Sequence, residues 1–226
     1  MKHPLSFLTA CLSVAMGAVW LKSPADGPNT HHILFIGNSF TSYNDMPAQV
    51  EDMARDGGKD VRVTMMAPGG YTLQNQWDDN NVLSMIDSRV WDAVVLQEQS
   101  QRFAFRRDQV AFDSFRYGEA LANRIRQRSP KAHVSWYQTW GYKYGDADNC
   151  KNLPEICSHD GMDRKIAENT SEIARLTRAD VVGVGAAWKQ YHKLHPEIEL
   201  YDADGKHPSP MGSKLAAQMF YHALLR

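Results

Sequence analysis

Short apolar runs of strand length alternate with longer segments of helical period along most of the chain. The short runs are β-branched or aromatic and apolar at both alternating positions, which is typical of parallel strands covered on both faces. Alternation of strands and helices favours an α/β fold with helices on both sides of a sheet. The predicted strands cover 32–36, 61–66, 91–96, 132–137 and 180–184, and the predicted helices cover 47–55, 80–88, 109–127, 162–178 and 209–225.

The first thirty residues follow a different pattern. Lys2 precedes an apolar run from Leu5 to Leu21 that carries no formal charge, which is typical of a secretory signal peptide. The run approaches the roughly 18 residues that can span a membrane, so an uncleaved anchor is the alternative. We therefore expect a signal peptide or anchor at 1–22, a Pro/Gly-rich linker at 23–30 and one domain at 31–226. The expected location is secreted or periplasmic, or membrane-anchored if the leader is retained.

Composition narrows the partners that we expect. The chain has 226 residues, of which 43% are hydrophobic and 23% charged, as is usual for one globular domain. The formal net charge of −1 gives no reason to expect a nucleic acid partner. Two of the three cysteines, Cys150 and Cys157, share a polar loop. Export would permit a disulfide between them, and two buried free thiols are the alternative.

Candidate chemistry follows the ends of the predicted strands, where ligands bind in open α/β sheets. Ser39 follows the first strand in the segment "IGNSF", and a serine hydroxyl becomes a nucleophile when a base lies within hydrogen-bond reach. A helix cap is the simpler explanation for this serine. However, Asp45, just before Met46-Pro47, suits the cap of the next helix better, which leaves Ser39 for another role.

His207 is the strongest candidate base among nine histidines. It lies in "DGKHPSP", where Pro208 disfavours a helical conformation for the residue before it, and Ser209 suits the cap of the last helix. Asp204 is three residues earlier, a spacing that lets one turn bring its carboxylate to the imidazole. A simple polar turn would use the same residue types.

Hydrolysis of an acyl group also needs hydrogen-bond donors for the developing oxyanion. The backbone N–H of Ser39 is one candidate, and the glycines at 69 and 70 allow close backbone approach to a ligand. Gln97 and Gln99 follow the third strand and offer a side-chain amide. A pair of histidines, His192 and His195, is spaced as metal ligands can be, but no third ligand group accompanies it, so we expect no metal site.

These segments together resemble the SGNH hydrolases, also called the GDSL esterase/lipase superfamily. "FIGNSFT", a glycine after the second strand, an amide after the third and "DGKHPS" occur in the family's order along the domain. The resemblance implies a three-layer α/β/α sandwich with a mostly parallel five-stranded sheet of flavodoxin-like topology, and no cofactor. It also implies that Ser39 is the nucleophile, Asp204 and His207 complete the triad, and Gly70, or less favourably Gly69, joins the oxyanion hole.

The sequence departs from the family pattern at two places. Asn38 replaces the aspartate of the GDSL motif, a position outside the triad. "LQEQS" stands where the family has G-x-N-D, and it is similar to the Q-G-E-S pattern of sialate O-acetylesterase-like and related carbohydrate esterases. That similarity favours Gln97 over Gln99 as the amide donor.

The expected function is a serine esterase that removes small acyl groups, acetyl foremost, from a carbohydrate or another small molecule. Asn38, Tyr71 and Trp140 follow strand ends and are candidate substrate contacts. A glycan O-acyltransferase with the same triad, or a non-catalytic glycan-binding protein, would fit the same segments. The oligomeric state is left open.

Overall fold

The computed structural model describes residues 27–225. The predicted leader at 1–22 and the first part of the predicted linker lie outside the described residues. Within the described part of the chain, none of the helices combines the length and apolar character needed to span a bilayer.

Five strands form one sheet in which each neighbouring pair runs parallel. Their spatial order is β2-β1-β3-β4-β5, which is the flavodoxin-like order that the family resemblance implies. In this order the chain reverses its direction of travel across the sheet between β1 and β3, and a crevice forms there at the carboxyl ends of the strands. The strands are β1 (His31–Ile36), β2 (Val61–Met66), β3 (Ala93–Leu96), β4 (His133–Gln138) and β5 (Asp180–Gly183).

The α-helices lie between and after the strands. Most have one buried face, because they pack on the sheet and leave a polar face to solvent. A 3₁₀ turn at Tyr43–Asp45 and a π-helical turn at Ala111–Phe115 interrupt the regular helices. The helices are α1 (Ser39–Ser42), α2 (Met46–Asp56), α3 (Leu73–Asp78), α4 (Asn80–Asp87), α5 (Arg107–Val110), α6 (Arg116–Arg128), α7 (His159–Thr177), α8 (Val184–Leu194) and α9 (Pro210–Leu224).

The helices form two layers around the sheet. Helices α2, α8 and α9 pack on one face, and α3, α4, α6 and α7 form the layer on the other. Alternating side chains of a strand point to opposite layers. Phe35 of β1 and Tyr137 of β4 meet the ring of Phe220 in α9, whereas Trp136, next to Tyr137, donates its indole N–H to Thr177 in α7. The prediction of a three-layer sandwich is therefore confirmed.

Three local predictions differ from the structure. The predicted helix at 109–127 is divided by the π-helical turn, and α3 is absent from the predicted set because it has only six residues. Asp45 precedes α2 but adopts a left-handed conformation with φ of 53°, and its side chain makes no capping hydrogen bond. The expectation that Asp45 caps this helix is wrong because the sharp turn at Tyr43–Asp45 directs its side chain elsewhere.

Candidate active site

Ser39 is the first residue of α1, at the point where β1 ends. The helix cap is the preceding residue, Asn38, whose side-chain oxygen accepts the backbone N–H of Phe40 at 3.1 Å. The serine hydroxyl is therefore not used for capping. It forms a hydrogen bond of 2.9 Å with Nε2 of His207, a residue 168 positions away in the chain.

His207 lies in the turn that precedes α9. Its Nδ1 is 2.5 Å from Oδ2 of Asp204, and the other oxygen of that carboxylate accepts the backbone N–H groups of Lys206 and His207. Burial acts to raise the pKa of Asp204, but the hydrogen bonds from the imidazole and the two N–H groups outweigh it and lower the pKa. An ionised Asp204 holds the imidazole in the tautomer that directs Nε2 to Ser39.

The turn that carries His207 is fixed by the residues around it. The imidazole stacks on the ring of Tyr43, with ring centres 4.3 Å apart. Asn44, with φ of 53°, donates from its side chain to Pro208 O and to the hydroxyl of Ser213. The two loops that carry the nucleophile and the base are therefore joined directly to each other.

Gln97 lies beneath the nucleophile, where it is inaccessible to a substrate. Its side chain is fully buried, and Oε1 accepts the backbone N–H of Asn38 and the hydroxyl of Thr41, both at 2.9 Å. Its Nε2 donates to Glu98 O. The expectation that Gln97 supplies the oxyanion donor is therefore wrong, because its amide is used inside the protein.

Gly70 and Gln99 lie in the loops that follow β2 and β3, and both are accessible to solvent. Gly70 is exposed with φ of 74°, and no atom beyond its chain neighbours lies within 4 Å of the position that a Cβ would take. Gly69 is equally open. Gln99 is half-buried, and its Oε1 accepts the backbone N–H of Arg102 at 3.3 Å. Gly70 and Gln99 line the same cleft, so they can act on one bound group.

Two of the three candidate substrate contacts are buried. Asn38 is 1% exposed, and its side-chain N–H₂ donates to Tyr71 O at 2.8 Å. Trp140 is fully buried, stacks on Trp188 and donates its indole N–H to Lys206 O. Asn38 and Trp140 were expected to touch substrate, and that expectation is wrong because both support the loops of the site from within. Tyr71 is half-buried and stays a candidate.

Glu98 is a buried carboxyl group between the loops that follow β2 and β3. It is 3% exposed, and its Oε1 accepts the backbone N–H groups of Leu73 at 3.0 Å and Gln99 at 2.7 Å. Loss of hydration raises the pKa of Glu98 to about 7. The hydroxyl of Ser114 opposes this shift, although it makes no hydrogen bond of standard geometry with Oε2.

The two histidines with the spacing of metal ligands, His192 and His195, do not both belong to the same helix. His192 lies in α8, and His195 follows its last residue and packs on Tyr191. Within residues 27–225, no group of three or more histidine, cysteine, aspartate or glutamate side chains is arranged to hold a metal ion.

A disulfide closes the polar loop that carries two of the three cysteines. Cys150 and Cys157 are joined, with Cα atoms 4.7 Å apart. The loop between them also depends on Asp146, a buried carboxylate that accepts the side-chain amide of Asn149 at 2.8 Å.

Three supporting residues were missed in the sequence. Asn44 and Tyr43 belong to the turn after Ser39, where an asparagine in a left-handed conformation is a recognisable turn signal. Glu98 lies between the two glutamines of the motif "LQEQS", two residues after the end of β3. A charged side chain so close to a buried strand is the signal that could have identified it, because glutamate is rarely buried without a partner.

The structure of this chain is similar to several solved structures of hydrolases and esterases. An SGNH hydrolase from Slackia heliotrinireducens has 32% sequence identity and a TM-score of 0.68, and the match covers 86% of this chain and 98% of that chain. An acetyl xylan esterase has 15% sequence identity and a TM-score of 0.64, and the match covers 86% of this chain and 100% of that chain.

A variant of an acetyl xylan esterase from Geobacillus stearothermophilus has 16% identity and a TM-score of 0.59, over 86% of this chain and 94% of that chain. At these lower identities the likeness is one of fold. No protein-family model matches the sequence, and the search of curated proteins gives no match.

Replacement of Gln99 is expected to lower activity, whereas replacement of Gln97 is expected to lower stability. Gln99→Ala should lower kcat for an ester by about 10²–10³-fold with little change in stability, as loss of an oxyanion donor does. Gln97→Ala should instead lower the free energy of unfolding by about 1–3 kcal/mol for each buried donor left unpaired. Steady-state kinetics and urea unfolding measure both, and full kcat in Gln99→Ala would exclude its role as a donor.

The raised pKa of Glu98 predicts how stability depends on pH. The folded protein keeps this carboxyl neutral up to about pH 7, whereas its ordinary pKa is 4.5, so its ionisation destabilises the fold as pH rises between these values. Glu98→Gln cannot ionise. Its free energy of unfolding relative to the unmodified protein should therefore increase by roughly 2–3 kcal/mol from pH 5 to pH 8. Urea unfolding at both pH values tests this, and a difference that is independent of pH would contradict it.

Proposed function

Since the chain belongs to the SGNH hydrolase family, we propose that it is a serine esterase that removes small acyl groups, acetyl foremost, from a carbohydrate. The observation that carries this proposal is the continuous hydrogen-bonded series from Asp204 through His207 to Ser39, with distances of 2.5 and 2.9 Å. This arrangement is the one that activates a serine hydroxyl for acyl transfer.

In the proposed reaction, His207 Nε2 takes the proton of Ser39 as Oγ attacks the ester carbonyl carbon. Asp204 stabilises the imidazolium that forms. Collapse of the tetrahedral intermediate breaks the ester C–O bond, and His207 returns the proton to the departing alcohol oxygen. A water molecule then attacks the acyl-enzyme with the same histidine as base, which releases the acid and restores Ser39.

The oxyanion of the intermediate needs donors that are in place before the reaction. We assign this role to the backbone N–H groups of Ser39 and Gly70 and to the side-chain amide of Gln99. Gly70 is exposed and lies in open space, so a carbonyl oxygen can approach its backbone.

A polar cleft that Gly70 and Gln99 line supports a sugar ester as the substrate. The cleft has a volume of about 350 Å³, and Gly70 and Gln99 form one part of its wall. Gln101, Gln109 and Arg102 supply hydrogen-bonding side chains, and Phe105 supplies an aromatic surface. Amides, a guanidinium and an aromatic ring together suit a hydroxyl-rich ring better than an alkyl chain.

The names of the similar structures agree with this substrate class, since two of them are acetyl xylan esterases. The predicted leader at residues 1–22 would place the enzyme outside the cytoplasm, where polymeric glycans occur. We propose this location together with the substrate, and detection of the protein in a culture supernatant or periplasmic fraction tests it.

Replacement of the nucleophile tests the proposal directly. Ser39→Ala should lower the rate of p-nitrophenyl acetate hydrolysis by at least ~10³-fold, because the acyl-enzyme can no longer form. Ser42→Ala, on the same short helix, provides a matched control and should keep the activity of the unmodified protein. Circular dichroism establishes that both variants are folded.

The proposal is contradicted if folded Ser39→Ala retains full activity, or if the unmodified protein does not hydrolyse p-nitrophenyl acetate. The substrate class is tested with O-acetylated xylose and glucose, with released acetate as the readout. Acetyl transfer to an added sugar in place of acetate release would instead identify a glycan O-acyltransferase.

A further inference from the structure

We infer that Glu98 is a positioning residue that holds the two loops of the oxyanion hole at a fixed separation. This inference rests on the proposed function, because it concerns the same donors. One oxygen of its carboxyl group, Oε1, accepts N–H groups from both loops, namely that of Leu73 after the Gly69-Gly70 segment and that of Gln99 after β3. Glu98 itself is buried and does not line the cleft.

The first of these two hydrogen bonds fixes the loop that carries Gly70. Leu73 is the first residue of α3, and Thr72 caps that helix by accepting the backbone N–H of Asn75 at 3.2 Å. The N–H of Leu73 has no partner within its own short helix, as is usual for a first turn. Glu98 supplies that partner. Because Leu73 is only three residues after Gly70, this hydrogen bond holds the end of the Gly70 loop.

The second hydrogen bond fixes the start of the segment that carries the Gln99 side chain. The distance of 2.7 Å from Gln99 N–H to Oε1 is short, and β3 ends at Leu96, so no sheet partner holds this residue. The carbonyl of Glu98 accepts Nε2 of Gln97, whose Oε1 holds the N–H of Asn38. Glu98 is therefore also connected, through Gln97, to the loop that carries Ser39.

Two neighbouring side chains, Arg102 and Ser114, would interact with an ionised Glu98. Arg102 lies close enough to favour the ionised form, and it also faces Asp113 at 3.9 Å. Ser114 is the polar side chain that faces the carboxyl from the π-helical turn. Because Oε1 already accepts two N–H groups, a proton on neutral Glu98 belongs on Oε2. Both the neutral and the ionised form can then keep the two loops joined.

Two substitutions of similar volume distinguish the effect of the hydrogen-bond acceptor from the effect of filling the space. Glu98→Gln keeps an oxygen acceptor for both N–H groups, and its kcat for p-nitrophenyl acetate should stay within about 3-fold of the unmodified protein. Glu98→Met fills the space but accepts no hydrogen bond of useful strength, and its kcat should fall by at least about 10-fold while KM changes little. A displaced oxyanion donor weakens transition-state binding more than ground-state binding.

Thr177→Val is the matched control for a general loss of stability. Thr177 is buried and accepts the indole N–H of Trp136, at the end of α7 that precedes β5 and is remote from the site. Its variant loses a buried hydrogen bond but should keep kcat. If Glu98→Met does not fold, Leu73→Pro removes one of the two N–H donors at a first helical position where proline is tolerated, and Leu73→Ala is its control for lost packing.

Amide hydrogen exchange provides a readout that does not depend on esterase activity. Glu98→Met should lose protection at the N–H groups of Leu73 and Gln99, and Glu98→Gln should retain it. Unchanged exchange in Glu98→Met, or changed exchange with full kcat, would overturn the inference. If the unmodified protein is inactive on the ester, the proposed function fails, whereas the exchange result still decides whether Glu98 holds the loops.

Discussion

The hydrogen bond between His207 and Ser39 joins two loops that are 168 residues apart, and its formation depends on the whole parallel sheet. Ser39 is delivered by the end of β1, a central strand, and His207 by the turn that enters α9, a helix that packs on the same face as α2. Asn44 then connects the two loops through Pro208 and Ser213. A change that shifts α9 relative to the sheet would therefore move the base away from the nucleophile.

Beneath the reacting groups, buried amide and carboxyl side chains accept backbone N–H groups, as carbonyl groups of neighbouring strands do within the sheet. Gln97 satisfies the N–H of Asn38, and Glu98 satisfies those of Leu73 and Gln99. Asn38 and Gln99 lie outside regular structure and Leu73 is the first residue of α3, so these N–H groups need side-chain acceptors. The cost of desolvating Glu98, seen in its raised pKa, is thus associated with joining the start of α3 to the loop that follows β3.

The sequence was sufficient for the parts of the structure that follow from periodicity. The five strands were predicted from the apolar runs, whereas their flavodoxin-like order was implied by the resemblance to the SGNH hydrolases. Ser39, Asp204 and His207 could be proposed because proline, glycine and capping residues define their turns locally. The resemblance favoured Gln97 over Gln99, but β3 ends at Leu96, and a pattern of apolar positions does not show that the chain beyond it buries Gln97 and leaves Gln99 half-buried. Likewise, a position after a strand did not reveal whether Asn38 and Trp140 face the solvent or the interior.

The central claim is that Ser39 is the nucleophile and that Gly70 and Gln99 complete the oxyanion hole. A crystal structure of the protein after reaction with a fluorophosphonate tests it most directly, because the phosphonyl oxygen occupies the position of the oxyanion. The account predicts a phosphorus–oxygen bond to Ser39 and a phosphonyl oxygen about 3 Å from the Gly70 N–H and the Gln99 amide. An adduct on another residue, or a phosphonyl oxygen directed away from both donors, would contradict it.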